Sequence, residues 1–193
     1  TGSAHPDPDI LKQRSKNMKI LTWKELDRKE EMTPLITMAF GFPFNLRVFE
    51  ETIRLDPRLN RSIIGLCAVE SDHLIGFVGL MELTTRSAEG MTEPVGGICA
   101  VSTLPSHARK GVSTALMNEA HQHFRDMHYR FSFLTTRRTY IAYHLYQKLG
   151  YDDVTDFPSA YKPLFRKRAQ IKRKKDSEID WSRILEIYNK YTA

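Results

Sequence analysis

Two consecutive basic residues and a glycine, Arg109, Lys110 and Gly111, stand where a predicted strand gives way to a predicted helix. The strand, residues 98–102, is short and almost wholly apolar, as a strand buried on both faces is. In the helix, residues 112–127, apolar side chains recur every three or four positions. The first N–H groups of a helix have no partner within it, and the helix dipole favours negative charge there. The turn therefore predicts an anion site, with phosphate or pyrophosphate as the obvious anion.

The common phosphate-binding motifs do not fit this turn. The P-loop pattern GxxxxGK[ST] fails because Lys110 precedes its glycine. The dinucleotide pattern GxGxxG fails because Gly111 stands alone. The ligand is therefore not a nucleotide held by either of those motifs.

Two segments resemble signatures of the GNAT acetyltransferases. The turn is similar to motif A, R/Q-x-x-G-x-G/A, and reads ARKGVS over 108–113, with Ala108 and Ser113 departing from the usual residues. Residues 142–151, AYHLYQKLGY, resemble the second signature, A-x-x-L-Y-x-K-x-G-[FY]. The two segments lie in the family's order, with one predicted strand (130–135) between them. The resemblance covers roughly residues 18–164.

The resemblance implies that the turn holds the pyrophosphate of acetyl-CoA. Main-chain groups of Val101 and Thr103, in the preceding strand, would pair with the pantetheine arm, because unpaired buried groups there would cost about 1–3 kcal/mol each. The alternatives are a simple tight turn at the glycine and ordinary ladder bonds in the strand. The cofactor-binding residues implied at the turn are Arg109, Lys110, Gly111, Val112, Ser113 and Thr114.

Tyr146 matches the family tyrosine whose hydroxyl protonates the departing thiolate. A tyrosine with a pKa near ~10 stays protonated at neutral pH and can act as this general acid. The alternative is a half-buried core aromatic, and Tyr140 and Tyr143 on the same helix are rivals for the role.

No general base stands out. The strand before the turn has no carboxylate, so the candidates are Glu82, Glu93 and His107. Each also fits a solvated surface group. A water relay, or an amine that binds already neutral, would need no protein base.

The elements that must position these residues alternate between strands and helices. The central unit, residues 95–135, reads as strand, helix, strand with a right-handed crossover, and the last one or two strands fall within 154–164. The expected class is α/β: the GNAT fold, a mixed six- to seven-stranded sheet with helices on both faces and a central parallel strand-helix-strand acyl-CoA site. The other predicted strands cover 19–23, 63–70 and 73–84, and Ser71 and Asp72 predict a tight hairpin turn between the last two. The other predicted helices cover 26–40, a segment capped by Asn45, and 138–149, which Gly150 is expected to end.

The 193 residues predict one main domain with appendages. Residues 1–17 read as a flexible lead or an expression remnant, 18–165 as the GNAT domain and 166–176 as a basic linker. Residues 177–193 read as an amphipathic helix. This helix either docks on the domain, docks on a second subunit of a homo-oligomer, or is the first helix of a second domain. That last alternative comes from a resemblance of this segment, and of the PSHARKG turn, to Eis-type N-acetyltransferases.

The net charge of +6 comes from one segment of the chain. Residues 157–175 hold eight Lys or Arg and no acid, and without them the chain sums to −2. A solvated linker is favoured over a nucleic-acid surface, because no aromatic residue for stacking stands among the basic residues from 166 to 175. A metal site is not expected, because His121, His123 and His128 do not share a helix face.

The composition excludes a membrane protein, since no apolar run approaches ~20 residues. Cys67 and Cys99, on strands separated by another strand, are expected to be buried free thiols in a reducing, cytoplasmic setting. The resulting hypothesis is an acetyl-CoA-dependent N-acetyltransferase acting on a primary amine of a small molecule or peptide in a ternary complex. The alternative is a CoA-binding, GNAT-fold regulatory or nucleic-acid-associated module that uses residues 157–175.

Overall fold

The structure is a computed structural model that describes residues 18–56, 59, 62–86 and 90–154. These residues belong to two units, one ending at Thr135 and the other beginning at Thr136. The predicted lead, basic linker, C-terminal helix and almost all of the last predicted strands lie outside the described residues.

One mixed sheet forms the frame of the first unit. Its strand order follows the chain, and every neighbouring pair is antiparallel except the parallel pair β4–β5. The hairpin between β2 and β3 turns at Ser71 and Asp72, which both have left-handed backbones (φ 51° and 62°), as the tight hairpin turn predicted there requires. The strands are β1 (Met18–Thr22), β2 (Gly65–Glu70), β3 (His73–Arg86), β4 (Thr92–Thr103) and β5 (Ser132–Phe133).

Helices α1 (Met32–Phe40), α2 (Leu46–Leu55) and α3 (Val112–Asp126) belong to the first unit, and α4 (Ile141–Lys148) to the second. The predicted helix over 26–40 was too long, because short 3-10 turns precede α1 and bury Trp23 and Leu26. Asn45 caps α2 as predicted: its side-chain oxygen accepts from the Val48 N–H at 3.1 Å.

Helices cover both faces of the sheet in the first unit. On one face, Met32 and Leu35 of α1 join Trp23 and Phe77 in the main apolar cluster. On the other face, α3 packs on β2, β3 and β4. Within the described residues, no helix is long and apolar enough to cross a membrane.

The two cysteines differ in exposure. Cys67, on β2, is fully buried, and burial raises the pKa of its thiol to about 12. Cys99, on β4, is exposed by its accessible surface, so the expectation that both thiols are buried was wrong for Cys99, although desolvation of its Sγ against the sheet still raises the pKa of the thiol to about 11. Both are free, as predicted.

Candidate active site

Among the residues that the structure describes, strand β4 has an open edge beyond Gly97. It pairs with β5 at only two positions, Gly96 with Ser132 and Gly97 with Phe133. On its other side β4 stays paired with β3 as far as Thr103. Within the described part of the chain, the β5 side of β4 beyond Gly97 therefore has no strand partner.

A β-bulge lies in this part of β4. Between the pairs Phe77–Ser102 and Gly79–Cys99, β3 contributes one residue and β4 two. Ala100 accommodates the extra residue with a left-handed backbone (φ 50°), which costs a non-glycine residue about 1–3 kcal/mol. Because a bulge bends and twists its strand, this one accounts for β4 leaving β5 here.

The main-chain groups of Val101 and Thr103 face the open edge. Ser102 pairs with β3, and the Leu104 N–H donates to the Ile75 carbonyl at 2.9 Å. Successive residues of a strand direct their N–H and C=O to opposite sides, so the alternate residues Val101 and Thr103 direct theirs away from β3. The geometry fits the predicted pairing with an amide-bearing ligand arm.

Helix α3 begins beside this edge with a cluster of N–H groups. Gly111 stands just before the helix with φ 82°, and nothing lies within 4 Å of the position a Cβ would take. The glycine is thus required by its backbone angle and leaves open space over the turn. Ala115 donates the first helical hydrogen bond, to the Gly111 carbonyl at 2.9 Å. The N–H groups of Val112, Ser113 and Thr114 have no acceptor within the described residues, as expected for the first turn of a helix.

Two cations and a hydroxyl pair complete the turn. Arg109 and Lys110 are exposed, and neither makes an ion pair within the described residues. Arg109 also has a left-handed backbone, with φ 60°. The hydroxyls of Thr103 and Ser113 lie 2.8 Å apart and are half-buried, which links the end of β4 to the first turn of α3. The end of β4 and the turn therefore form one continuous surface with donors and positive charge, suited to a phosphate-bearing ligand.

Two of the candidate bases already have partners. Glu82 accepts a hydrogen bond from the Tyr129 hydroxyl, and Glu93 pairs with Arg130 at 3.2 Å. Burial and the neighbouring Glu82 carboxylate together raise the pKa of Tyr129 to about 12. Either carboxylate would have to leave its partner to accept a proton from a substrate.

The third candidate base, His107, lies in the turn between β4 and α3. Its Nε2 is 3.1 Å from a carboxylate oxygen of Glu70, at the end of β2, and its Nδ1 is 2.9 Å from the Ser106 hydroxyl. Both ring nitrogens are thus engaged. The contact with Glu70 ties the turn to the sheet, and no local pattern in the chain indicates that contact.

Tyrosines of the second unit differ in their surroundings. Tyr146 is 8% exposed, and burial, followed by the nearby Tyr151, raises the pKa of its hydroxyl. The Tyr143 hydroxyl donates to Asp153 at 2.9 Å, and that hydrogen bond raises its pKa. Tyr140 is 52% exposed. Tyr146 is therefore the buried tyrosine of the three, and its hydroxyl stays protonated at neutral pH.

The loop between α1 and α2 carries aromatic residues of two kinds. Phe44 packs against Phe49 at 5.5 Å between ring centroids, and its N–H donates to the Thr37 hydroxyl. Phe40 and Phe42 are exposed and lie 5.9 Å apart. Phe44 is thus a hydrophobic plug, while Phe40 and Phe42 are available to a ligand. Across the described residues, no group of three His, Cys, Asp or Glu side chains could hold a metal ion.

Comparisons with solved structures show the same fold in a transcriptional regulator and in acetyltransferases. A transcriptional regulator from Bacillus halodurans C-125 is 14% identical with a TM-score of 0.60, over 75% of this chain and 99% of its own. The aminoglycoside N-acetyltransferase AAC(6')-Iy, in complex with the bisubstrate analogue CoA-S-monomethyl-acetylneamine, is 16% identical with a TM-score of 0.58, over 76% and 98%. Glucosamine-6-phosphate N-acetyltransferase from Arabidopsis thaliana is 13% identical with a TM-score of 0.56, over 75% and 97%.

Comparison with known sequences and family models identifies the family of this chain. No curated protein sequence gives a significant match to the chain. The model of the acetyltransferase (GNAT) domain family, however, matches residues 23–154. This range covers well over half of the chain and includes the bulged strand, the Gly111 turn and Tyr146. The protein therefore belongs to the GNAT acetyltransferase family.

Proposed function

We propose that the protein transfers the acetyl group of acetyl-CoA to a primary amine by direct attack in a ternary complex. The observation that carries this proposal is the continuity of the open β4 edge with the N–H cluster of the Gly111 turn. The edge offers main-chain groups to the two amides of pantetheine, and the turn offers donors and two cations to the pyrophosphate. Acetyl-CoA carries both chemistries on one molecule.

In the proposed reaction the amine nitrogen forms a bond to the thioester carbonyl carbon, and the carbon–sulfur bond breaks. Tyr146 gives its hydroxyl proton to the departing thiolate and is reprotonated from solvent. The nitrogen loses one proton, so the products are an acetamide and the free thiol of CoA. The raised pKa of Tyr146 supports this role, because the hydroxyl keeps its proton until the thiolate forms.

The acceptor of the amine proton stays among the three predicted candidates, Glu82, Glu93 and His107, or water. The variants Glu82→Gln, Glu93→Gln and His107→Asn separate them through the pH dependence of kcat/KM. The variant that removes the true base loses the acidic limb of the profile, whereas the other two keep it.

Thiol release from acetyl-CoA across a panel of amines tests the function directly. Tyr146→Phe should lower kcat by about 10²–10⁴ while leaving the Kd for CoA unchanged, because only proton transfer is lost. Tyr140→Phe is the matched control, since that tyrosine is exposed. Unchanged turnover in Tyr146→Phe would remove the residue from the acid role. Binding of acetyl-CoA without thiol release from any amine would favour the regulatory module instead.

A further inference from the structure

The two faces of the sheet differ at Gly96 and Gly97, the last positions where β4 pairs with β5. On one face the buried Phe124 ring of α3 covers Gly96, where an added Cβ would meet ring atoms at 2.5 Å. On the other face Met81 and Leu83 lie over Gly97, where an added Cβ would meet them at 2.6 and 2.9 Å. The first face is closed by a helix, while Met81 and Leu83 are only half-buried.

Cys99 extends this second face past the last pair with β5. Its Sγ lies over Gly79, where an added Cβ would meet it at 2.6 Å. The pair Gly79–Cys99 is two residues along from the pair Met81–Gly97, so the pleat places both pairs on one face. Met81, Leu83 and Cys99 together form an apolar strip where β4 leaves β5.

The two carboxylates next to the strip, Glu82 and Glu93, both have partners. Glu82 lies between Met81 and Leu83 in β3, so its side chain projects from the opposite face. There it accepts a hydrogen bond from Tyr129, which follows α3. Glu93 of β4 lies on the strip's own face, two residues before Val95, and is paired with Arg130 at 3.2 Å. The strip itself therefore presents two apolar side chains and a thiol, with one carboxylate at its end that already has a cationic partner.

In the proposed reaction the pantetheine arm lies along the β4 edge, so an amine reaches the thioester from one face of the sheet or the other. Phe124 and α3 close one face over Gly96, whereas on the other face α1 packs near Phe77 and leaves Met81 and Leu83 half-buried and Cys99 exposed. The amine must then cross the apolar strip, and the group next to its nitrogen packs on Met81 and Leu83.

We infer that the natural acceptor carries its primary amine on an apolar arm, aliphatic or aromatic, which packs on the strip of Met81, Leu83 and Cys99. The inference rests on the proposed function and names the substrate class of the same site. Methylenes gain about 0.8 kcal/mol each when buried on such a surface, whereas hydroxyls and ammonium groups lose hydration without gaining a partner. An aromatic arm gains in addition from the Met81 thioether.

The experiment measures kcat/KM by thiol release for ethylamine, propylamine, butylamine and pentylamine, amines of nearly equal basicity. The constant should rise about fourfold per added methylene, which is 0.8 kcal/mol converted to a ratio. 5-Amino-1-pentanol and 1,5-diaminopentane have the same carbon chain as pentylamine, and their kcat/KM values should lie well below that of pentylamine. A flat series, or a preference for the hydroxyl or the diamine, would overturn the inference.

Variants of the strip locate the effect. Leu83→Ala should lower kcat/KM for pentylamine about tenfold, as expected for losing part of a buried leucine contact, and leave ethylamine within about twofold. Met81→Gln, with a side chain of nearly equal size, should also reduce the ratio of kcat/KM for pentylamine to kcat/KM for ethylamine. This variant replaces Leu83→Ala in the test if Leu83→Ala folds poorly. Met127→Ala, an exposed methionine just after α3, is the control that keeps the ratio. A purely structural role would lower both amines equally and would contradict the inference.

Three further outcomes distinguish a failure of this inference from a failure of the proposed function on which it rests. If Leu83→Ala instead changes selectivity between acetyl-CoA and butyryl-CoA, the strip holds the acyl chain and the inference is wrong. If ethylamine and pentylamine are turned over equally, the inference fails and the acetyltransferase stands. If no amine is turned over, both fail, and calorimetry with CoA shows whether the cofactor site survives.

Discussion

Replacing Gly111 by alanine tests the turn that begins α3. The backbone there has φ 82°, which costs an L-residue about 1–2 kcal/mol, and an added Cβ would meet nothing within 4 Å. The cost is therefore backbone strain without a steric clash. If the chain relieves the strain by rotating the turn, the neighbouring N–H groups no longer converge on one anion. Losing one hydrogen bond to a charged group costs about 1.5–3 kcal/mol, so CoA should bind at least about tenfold more weakly.

Gly90 offers a matched control. It has φ 81°, and an added Cβ there would also meet nothing within 4 Å, but it precedes β4 at the far end from the turn. Gly90→Ala and Gly111→Ala should each lose about 1–2 kcal/mol of unfolding free energy in urea. Only Gly111→Ala should lose affinity for CoA, measured by calorimetry on the folded protein.

The comparison of Kd values decides the matter. Equal loss of stability with unchanged CoA affinity in Gly111→Ala would refute the claim that this turn holds the pyrophosphate. A loss of affinity in both variants would mean that general destabilisation, and not the turn, weakens binding.

Two further predictions concern single contacts. Ser113→Ala and Thr103→Val each remove one hydroxyl of the 2.8 Å pair, and each should lower the free energy of unfolding by about 0.5–1.5 kcal/mol. The double variant should lose little more than one single variant, as urea unfolding of the wild type and the three variants would show. Additive losses would contradict the contact. Glu82→Gln should lower the pKa of Tyr129 from about 12, seen by absorbance titration against Tyr129→Phe. Because the pKa of Tyr129 is raised in the folded state, its contribution to stability is present below pH ~10 and is lost as pH rises towards about 12. Glu82→Gln should therefore lose less unfolding free energy than the wild type over this pH range.

Local patterns predicted the parts of the site that depend on neighbouring residues. The apolar spacing predicted α3, the glycine predicted a tight turn before it, and Ser71 and Asp72 predicted the hairpin. Each of these features depends on a local backbone angle or on one face of a helix, and residue type and spacing indicate both directly. Gly150, with φ 87°, ends the α4 segment in the same predictable way.

Contacts between distant segments were not predictable. Nothing in the residue type of Ala100 indicates that it adopts φ 50° and forms the bulge; the register between β3 and β4 imposes that angle. The contact between His107 and Glu70 joins residues 37 positions apart, and exposure of Cys99 depends on what covers that face. The strand prediction for Cys99 was right, but alternation alone could not tell a covered face from an open one.

The open edge of β4 has a consequence for handling the protein. An unpaired strand edge is a template on which another chain can add a strand, so we expect concentrated protein without cofactor to self-associate through this edge. A ligand that fills the edge removes that template and also raises the melting temperature by mass action. We therefore expect light scattering to show less self-association of the protein with CoA than without it.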